Sequence, residues 1–113
     1  MTASTLWHNP RCSKSRETLA LLQQRGVAPT VVEYLKAPPS VAELDRVLKL
    51  LGRAPRELMR TGEDEYAGVP ADAGRAELIA YMVAHPKLIE RPVFIHGKKA
   101  AVGRPPEAVL AIL

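Results

Sequence analysis

Between Leu6 and Leu35 the apolar pattern changes its period twice, and that change limits the possible folds more than any other feature of the chain. Leu6-Trp7-His8 is a short apolar run that stops at Asn9-Pro10, a turn-forming dipeptide. From about Ser13 to Arg25 the spacing becomes helical, with Leu19 and Leu22 on one stripe and Gly26 placed to end the helix. Pro29 to Leu35, PTVVEYL, is rich in β-branched residues and reads as a second strand. Two strands joined through a helix lie parallel, with a right-handed crossover.

Lys36-Ala37-Pro38-Pro39 then breaks the chain. Ser40 and Glu43 have the spacing of a capping box, opening a helix with Val41, Leu44, Val47, Leu48 and Leu51 on its apolar face and Gly52 at its end. Pro55 to Arg60 predicts a short helix with proline in its first turn. After the polar loop TGEDEYAGVP, a third helix is expected from about Asp72 to Ala84, closed by Pro86. Pro92 to Ile95 reads as a third strand. Gly97 turns the chain, Ala100 to Val102 returns antiparallel, and Pro105-Pro106 opens a last helix with Val109, Leu110 and Leu113. The order is β-α-β, helices, then β-β-α. It predicts an α/β fold, a thioredoxin-like four-stranded mixed sheet with a helical insertion over about 37–86. The 113 residues suit a single domain, spanning 1–113, that removes roughly two-thirds of its unfolded surface from water.

Charge narrows the partners. Sixteen basic and 12 acidic side chains leave a formal +4, which tolerates anions. The basic residues are scattered, and one Phe and one Trp are too few for a base-stacking surface, so nucleic acid is not the expected partner. No apolar run approaches the ~18–20 residues that cross a bilayer, which argues against a membrane partner. The first residues lack a basic patch followed by a long apolar stretch, so no signal peptide is expected. One cysteine cannot form an internal disulfide, which predicts a reducing, cytoplasmic location.

That cysteine, Cys12, lies in HNPRCSKSR, at the junction of the first strand and first helix. Unpaired N–H groups and the positive end of the helix dipole favour a thiolate there, and also an oxyanion. Arg11, Lys14 and Arg16 add positive charge within a turn. Such surroundings make a cysteine reactive. The bland alternative is a small buried cysteine, but the flanking residues are polar or charged, a poor recipe for burial. A metal site through His8 and Cys12 would need His85 or His96, and their spacing fits no ligand pair, so no metal is expected. His8 either faces the thiol and tunes its ionisation or is a hydrogen-bonded packing residue. Ser13 is expected to cap the helix, and Ser15 either caps or donates to the thiolate. Ser15 also stands where a dithiol oxidoreductase carries its second cysteine. Any adduct on Cys12 therefore has to be cleared by an external thiol.

HNPRCSKSR, ELMR at 57–60, ERPVFI at 90–95 and GRPPE at 103–107 together resemble the glutaredoxin-coupled arsenate reductases of thioredoxin-like fold, close to their short bacterial members. Four collinear motifs across nearly the whole chain carry the likeness. The resemblance implies that Cys12 is the catalytic nucleophile and attacks arsenate to give a covalent adduct. Glutathione, a co-substrate and not a bound cofactor, then attacks the adduct, glutaredoxin removes the glutathione, and arsenite leaves. It implies that Arg60, Arg91 and Arg104 bind the oxyanion and that the Arg91–Pro92 bond is the cis-proline of the fold; His8, Ser15 and Arg16 are supporting candidates from their place around Cys12. Arginine's planar fork suits a tetrahedral anion, and cations are needed where an anionic thiolate attacks an anionic substrate. As solvated surface charges the three arginines would have no such role. Arg11 and Lys14 make the loop more basic than this chemistry requires, and family members differ there.

Two other functions fit the same residues. One is a related glutathione-linked monothiol oxidoreductase, acting on a mixed disulfide. The other is an RNA-polymerase-binding regulator of the same fold. Such regulators sense oxidants through a Cys-x-x-Cys switch, which Ser15 prevents from closing.

Overall fold

Strand β1 (Ser4–Trp7) lies inside a four-stranded sheet of order β2-β1-β3-β4, with β2 at Thr30–Val32, β3 at Val93–His96 and β4 at Lys99–Val102. The computed structural model describes residues 3–113, in two units: one runs to Ala37 and resumes at Arg91–Leu113, and the other is Pro38–Glu90.

In the first unit β1 pairs parallel with β2, placing Leu6 opposite Val31. It pairs antiparallel with β3, placing Leu6 opposite Phe94, and β3 pairs antiparallel with β4. Helix α1 (Ser13–Gln24) provides the crossover between the parallel strands. Leu6, Leu22, Phe94 and Val109 form a fully buried cluster, flanked by Leu19, Val27 and Leu110. Burying each large apolar side chain contributes about 1.5–3 kcal/mol. Gly26 ends α1 with φ of 75°, a left-handed backbone that favours glycine.

Several boundaries differ from the sequence expectations. β1 begins at Ser4 and ends before His8, although the His8 N–H still donates to the Val32 carbonyl at 2.8 Å. β2 keeps only three of the seven expected residues. It is an edge strand with a single partner, and the Glu33 carbonyl accepts from both Lys36 and Ala37 N–H groups, which turns the chain away. β3 starts at Val93 because Pro92 has no N–H to give a ladder. The last segment, Pro106–Ile112, is a 3-10 helix and not an α-helix. Its bonds close over three residues, as from the Ala108 N–H to the Pro105 carbonyl. The Arg91–Pro92 bond is cis, as is Arg104–Pro105.

In the second unit α2 (Val41–Leu51) buries Leu44, Val47 and Leu48 and packs on α3 (Arg75–Ala84), which buries Leu78, Ile79 and Met82. Ser40 Oγ accepts from the Glu43 N–H at 3.1 Å, which is half of the expected capping box. The Glu43 carboxylate turns instead to Arg46 at 3.0 Å. Gly52, with φ of 66°, closes α2. α3 starts at Arg75 and not at Asp72, because Gly74 occupies the cap position. Pro55–Leu58 is a 3-10 turn ending short of Arg60. Asp64–Gly68, within the polar loop, and Pro86–Leu88 are two more such turns.

Candidate active site

The loop from β1 to α1 is a four-residue turn built from its own sequence. The Cys12 N–H donates to the Asn9 carbonyl at 3.0 Å, closing the turn with Pro10 in the second position, which its fixed φ suits. Asn9 Oδ1 accepts from the Arg11 N–H at 3.0 Å, and Arg16 Nη1 donates to the Pro10 carbonyl at 3.0 Å. Arg16 thus braces the turn.

Cys12 is the N-cap residue of α1. Its backbone is extended, and its carbonyl accepts the first helical bond, from the Arg16 N–H, at 3.0 Å. This corrects the assignment of the cap to Ser13, which lies one residue inside the helix. No side chain caps the N-terminus, and no acidic residue stands in the first turn. The first N–H groups of a helix have no intrahelical acceptor, so an anion at this end meets donors and the positive dipole.

Cys12 is also more buried than its neighbours in sequence suggest, with 9 % of its surface exposed. The reason is helical phase. Cys12, Ser15, Thr18 and Leu22 follow one inner face of α1, whereas Ser13, Lys14, Arg16 and Glu17 lie on the exposed face. The polar flanks belong to the outer side of the helix and say nothing about the inner one.

A guanidinium reaches the thiol. Arg104 Nη2 lies 3.9 Å from Cys12 Sγ, and Arg104 Nε donates to the Arg91 carbonyl at 2.9 Å. Arg91 itself keeps Nε and Nη1 buried with no hydrogen-bond partner among the described residues. Buried, unpaired guanidinium donors are costly unless an acceptor arrives. An oxyanion would be such an acceptor.

His8 and Ser15 pair with each other in the buried part of the turn. Ser15 Oγ accepts from the Asn9 N–H at 3.0 Å and lies 2.6 Å from His8 Nδ1. Both residues are buried. Burial lowers the His8 pKa below its ordinary 6.5; Glu33 opposes the shift and Arg16 adds to it. His8 and Ser15 therefore bond to each other and to the turn that holds Cys12. Arg60 belongs to the second unit, where Nη1 pairs with Glu63 at 2.6 Å and its N–H donates to the Leu88 carbonyl at 2.7 Å.

Gly103, not singled out in the sequence, has a part in holding the site. A Cβ there would come within 2.5 Å of Thr18 Oγ1 and 2.7 Å of the Pro92 ring. Only glycine lets the segment before Arg104 approach α1 and Pro92 so closely. The glycine ahead of Arg-Pro-Pro was the available signal. Asn9 was legible as part of Asn-Pro, but not its bond to Ser15.

Among the described residues no group of three or more His, Cys, Asp or Glu side chains is placed to hold a metal ion. No helix among these residues is long and apolar enough to cross a membrane.

A thiol at a helix N-terminus, in a four-stranded mixed sheet of this order, defines a thioredoxin-like protein. The chain belongs to the ArsC family, whose model matches residues 7–112. It is 53 % identical to the uncharacterized protein YfgD of Escherichia coli, over 96 % of this chain and 94 % of that one. It is 47 % identical to an arsenate reductase of Haemophilus influenzae, over 96 % and 97 % of the two chains. The structure of an arsenate reductase from Vibrio cholerae superimposes with a TM-score of 0.94 at 46 % identity, covering 99 % of this chain and 98 % of that one.

Proposed function

We propose that this protein is an arsenate reductase that uses Cys12 as nucleophile and takes its electrons from glutathione and glutaredoxin. The observation that carries the reading is the Arg104 guanidinium 3.9 Å from the Cys12 sulfur, at an uncapped helix N-terminus. A disulfide substrate has no need of such a cluster of anion donors, whereas a tetrahedral oxyanion does.

The Cys12 sulfur forms a bond to arsenic, and one arsenate oxygen leaves as water. A glutathione sulfur then joins the arsenic and a second water leaves. A glutaredoxin thiolate attacks the glutathione sulfur, so that a sulfur–sulfur bond forms and the glutathione–arsenic bond breaks. Its electron pair stays on arsenic, which passes from As(V) to As(III). Water displaces Cys12 and arsenite departs. Two sulfurs, one from each external thiol, lose the two electrons that arsenic gains.

In this sequence Arg104 neutralises the sulfur and the incoming oxyanion, and the two unpartnered Arg91 donors bind arsenate oxygens. Arg60 is assigned to the substrate on the ELMR motif alone. Arg16, Ser15 and His8 hold the turn. No resident cofactor takes part, and a glutathione-containing cytoplasm supplies the reductant. The test is an assay of purified protein with arsenate, glutathione, glutaredoxin and its reducing system, following NADPH consumption against a phosphate control. Arsenate-dependent consumption that Cys12→Ser abolishes supports the reading, and equal rates with arsenate and phosphate overturn it.

A further inference from the structure

We infer that the groove between residues 8–11 and Glu33–Lys36 is the seat of the thiol tripeptide that clears Cys12. The inference rests on the proposed function and deepens it. The chain holds one cysteine, so the clearing thiol arrives from outside and has to be positioned. The carboxyl ends of parallel strands β1 and β2 lead into the two walls of this groove. That is the edge of an α/β sheet where ligands bind. One wall ends at Arg11, the residue next to Cys12 in the chain, and the other carries Glu33, Leu35 and Lys36.

The chemistry of the lining matches a γ-glutamyl tripeptide group by group. Glutathione carries an ammonium and a carboxylate on its glutamyl end, a carboxylate on its glycyl end, and the thiol between them. Glu33 and Lys36 stand 3.6 Å apart as an exposed pair of opposite charges, the complement of the glutamyl zwitterion. Arg11 is exposed, and its guanidinium makes no hydrogen bond or ion pair among the described residues, so it can take the glycyl carboxylate. Leu35 keeps 39 % of its surface exposed and offers an apolar floor. The groove encloses about 200 Å³, less than the ~300–1,000 Å³ that surrounds a drug-sized ligand. It can hold the charged ends while leaving the central thiol outside, beside the Cys12 loop. This also gives the excess basicity at Arg11 a use that arsenate does not require.

Two measurements test the seat. In the first, S-methylglutathione, which binds without reacting, is titrated onto the wild-type protein and the backbone amides are followed by NMR. Shifts confined to residues 8–11 and 33–36, with affinity reduced about tenfold in Arg11→Ala and Lys36→Glu, are expected. Shifts elsewhere, or affinity unchanged in both variants, overturn the seat whether or not the protein reduces arsenate. In the second, Lys36→Glu, outside the Cys12 turn, should raise the KM for glutathione about tenfold and leave the KM for arsenate unchanged. Its rate with 2-mercaptoethanol, which lacks the charged ends, should match wild type. An unchanged glutathione KM in an active enzyme rejects the seat and leaves the reductase intact. Absence of arsenate reduction with every thiol rejects the reductase, and the NMR titration still decides the seat.

Discussion

Arg104 and Cys12 are 92 residues apart in sequence, yet Nη2 of one lies 3.9 Å from Sγ of the other. The same guanidinium holds the Arg91 carbonyl through Nε at 2.9 Å. One side chain thus joins the Cys12 thiol to the segment that carries Pro92. Arg104→Ala should lower kcat/KM for arsenate roughly a hundred- to a thousand-fold, the range for losing a charged transition-state donor. It should also slow alkylation of Cys12 at neutral pH. Arg104→Lys should recover little, because an ammonium lacks the fork that serves sulfur and carbonyl together. Wild-type kcat/KM in Arg104→Ala would place the anion pocket elsewhere.

Arg91 should separate activity from stability. Its Nε and Nη1 are buried without partners, so removing the charge relieves an unmet demand. Arg91→Ala is expected to lose activity on the scale of Arg104→Ala while its thermal midpoint stays level or rises. A large fall in the midpoint would show that the guanidinium is satisfied in the resting protein.

Ser15→Ala should keep a measurable arsenate reductase rate but cost about 1–3 kcal/mol of stability, because the Asn9 N–H and His8 Nδ1 lose their shared partner in a buried place. Cys12→Ser should show the reverse, with no activity and nearly unchanged stability. Denaturant unfolding beside the coupled assay distinguishes the two patterns.

Gly103→Ala should be destabilising by about 1–3 kcal/mol, since the added methyl meets Thr18 and the Pro92 ring in packed surroundings. Because the strained segment leads directly into Arg104, kcat/KM should fall as well. Thermal unfolding and steady-state kinetics on one preparation measure both.

Stability should decline as the pH falls below about 6.5. The folded His8 pKa lies below its unfolded value, so the unfolded chain binds the proton first. The contribution is complete above the unfolded value and is lost as pH drops through the folded one. His8→Asn should flatten the slope between pH 7 and 5 in urea titrations. An equally steep slope in the variant would assign the dependence to other groups.

The β-α-β start was legible because its signals are local: a short apolar run, then a helical period, then β-branched residues, separated by Asn9-Pro10 and Gly26. The same locality revealed Cys12 at a strand-to-helix junction, Ser40 as a cap, and the turn at Gly97. Boundaries were harder. Whether Pro29 or Tyr34 joins β2 depends on how many partners an edge strand has, and whether Pro106–Ile112 winds as α or 3-10 depends on what it packs against.

By its own residues, then, the chain determined its element order, the parallel pairing of its first two strands, and a solitary thiol with no internal partner. Those follow from spacing and from backbone preferences that act over a few residues. Tertiary structure alone decided that Cys12 faces inward, that Ser15 locks His8 to the turn, and that Arg104 crosses to the sulfur. The first two depend on how the β1–α1 turn and the inner face of α1 pack; the last joins groups that chain order leaves independent, brought together only when the two halves of the sheet pair along β1 and β3.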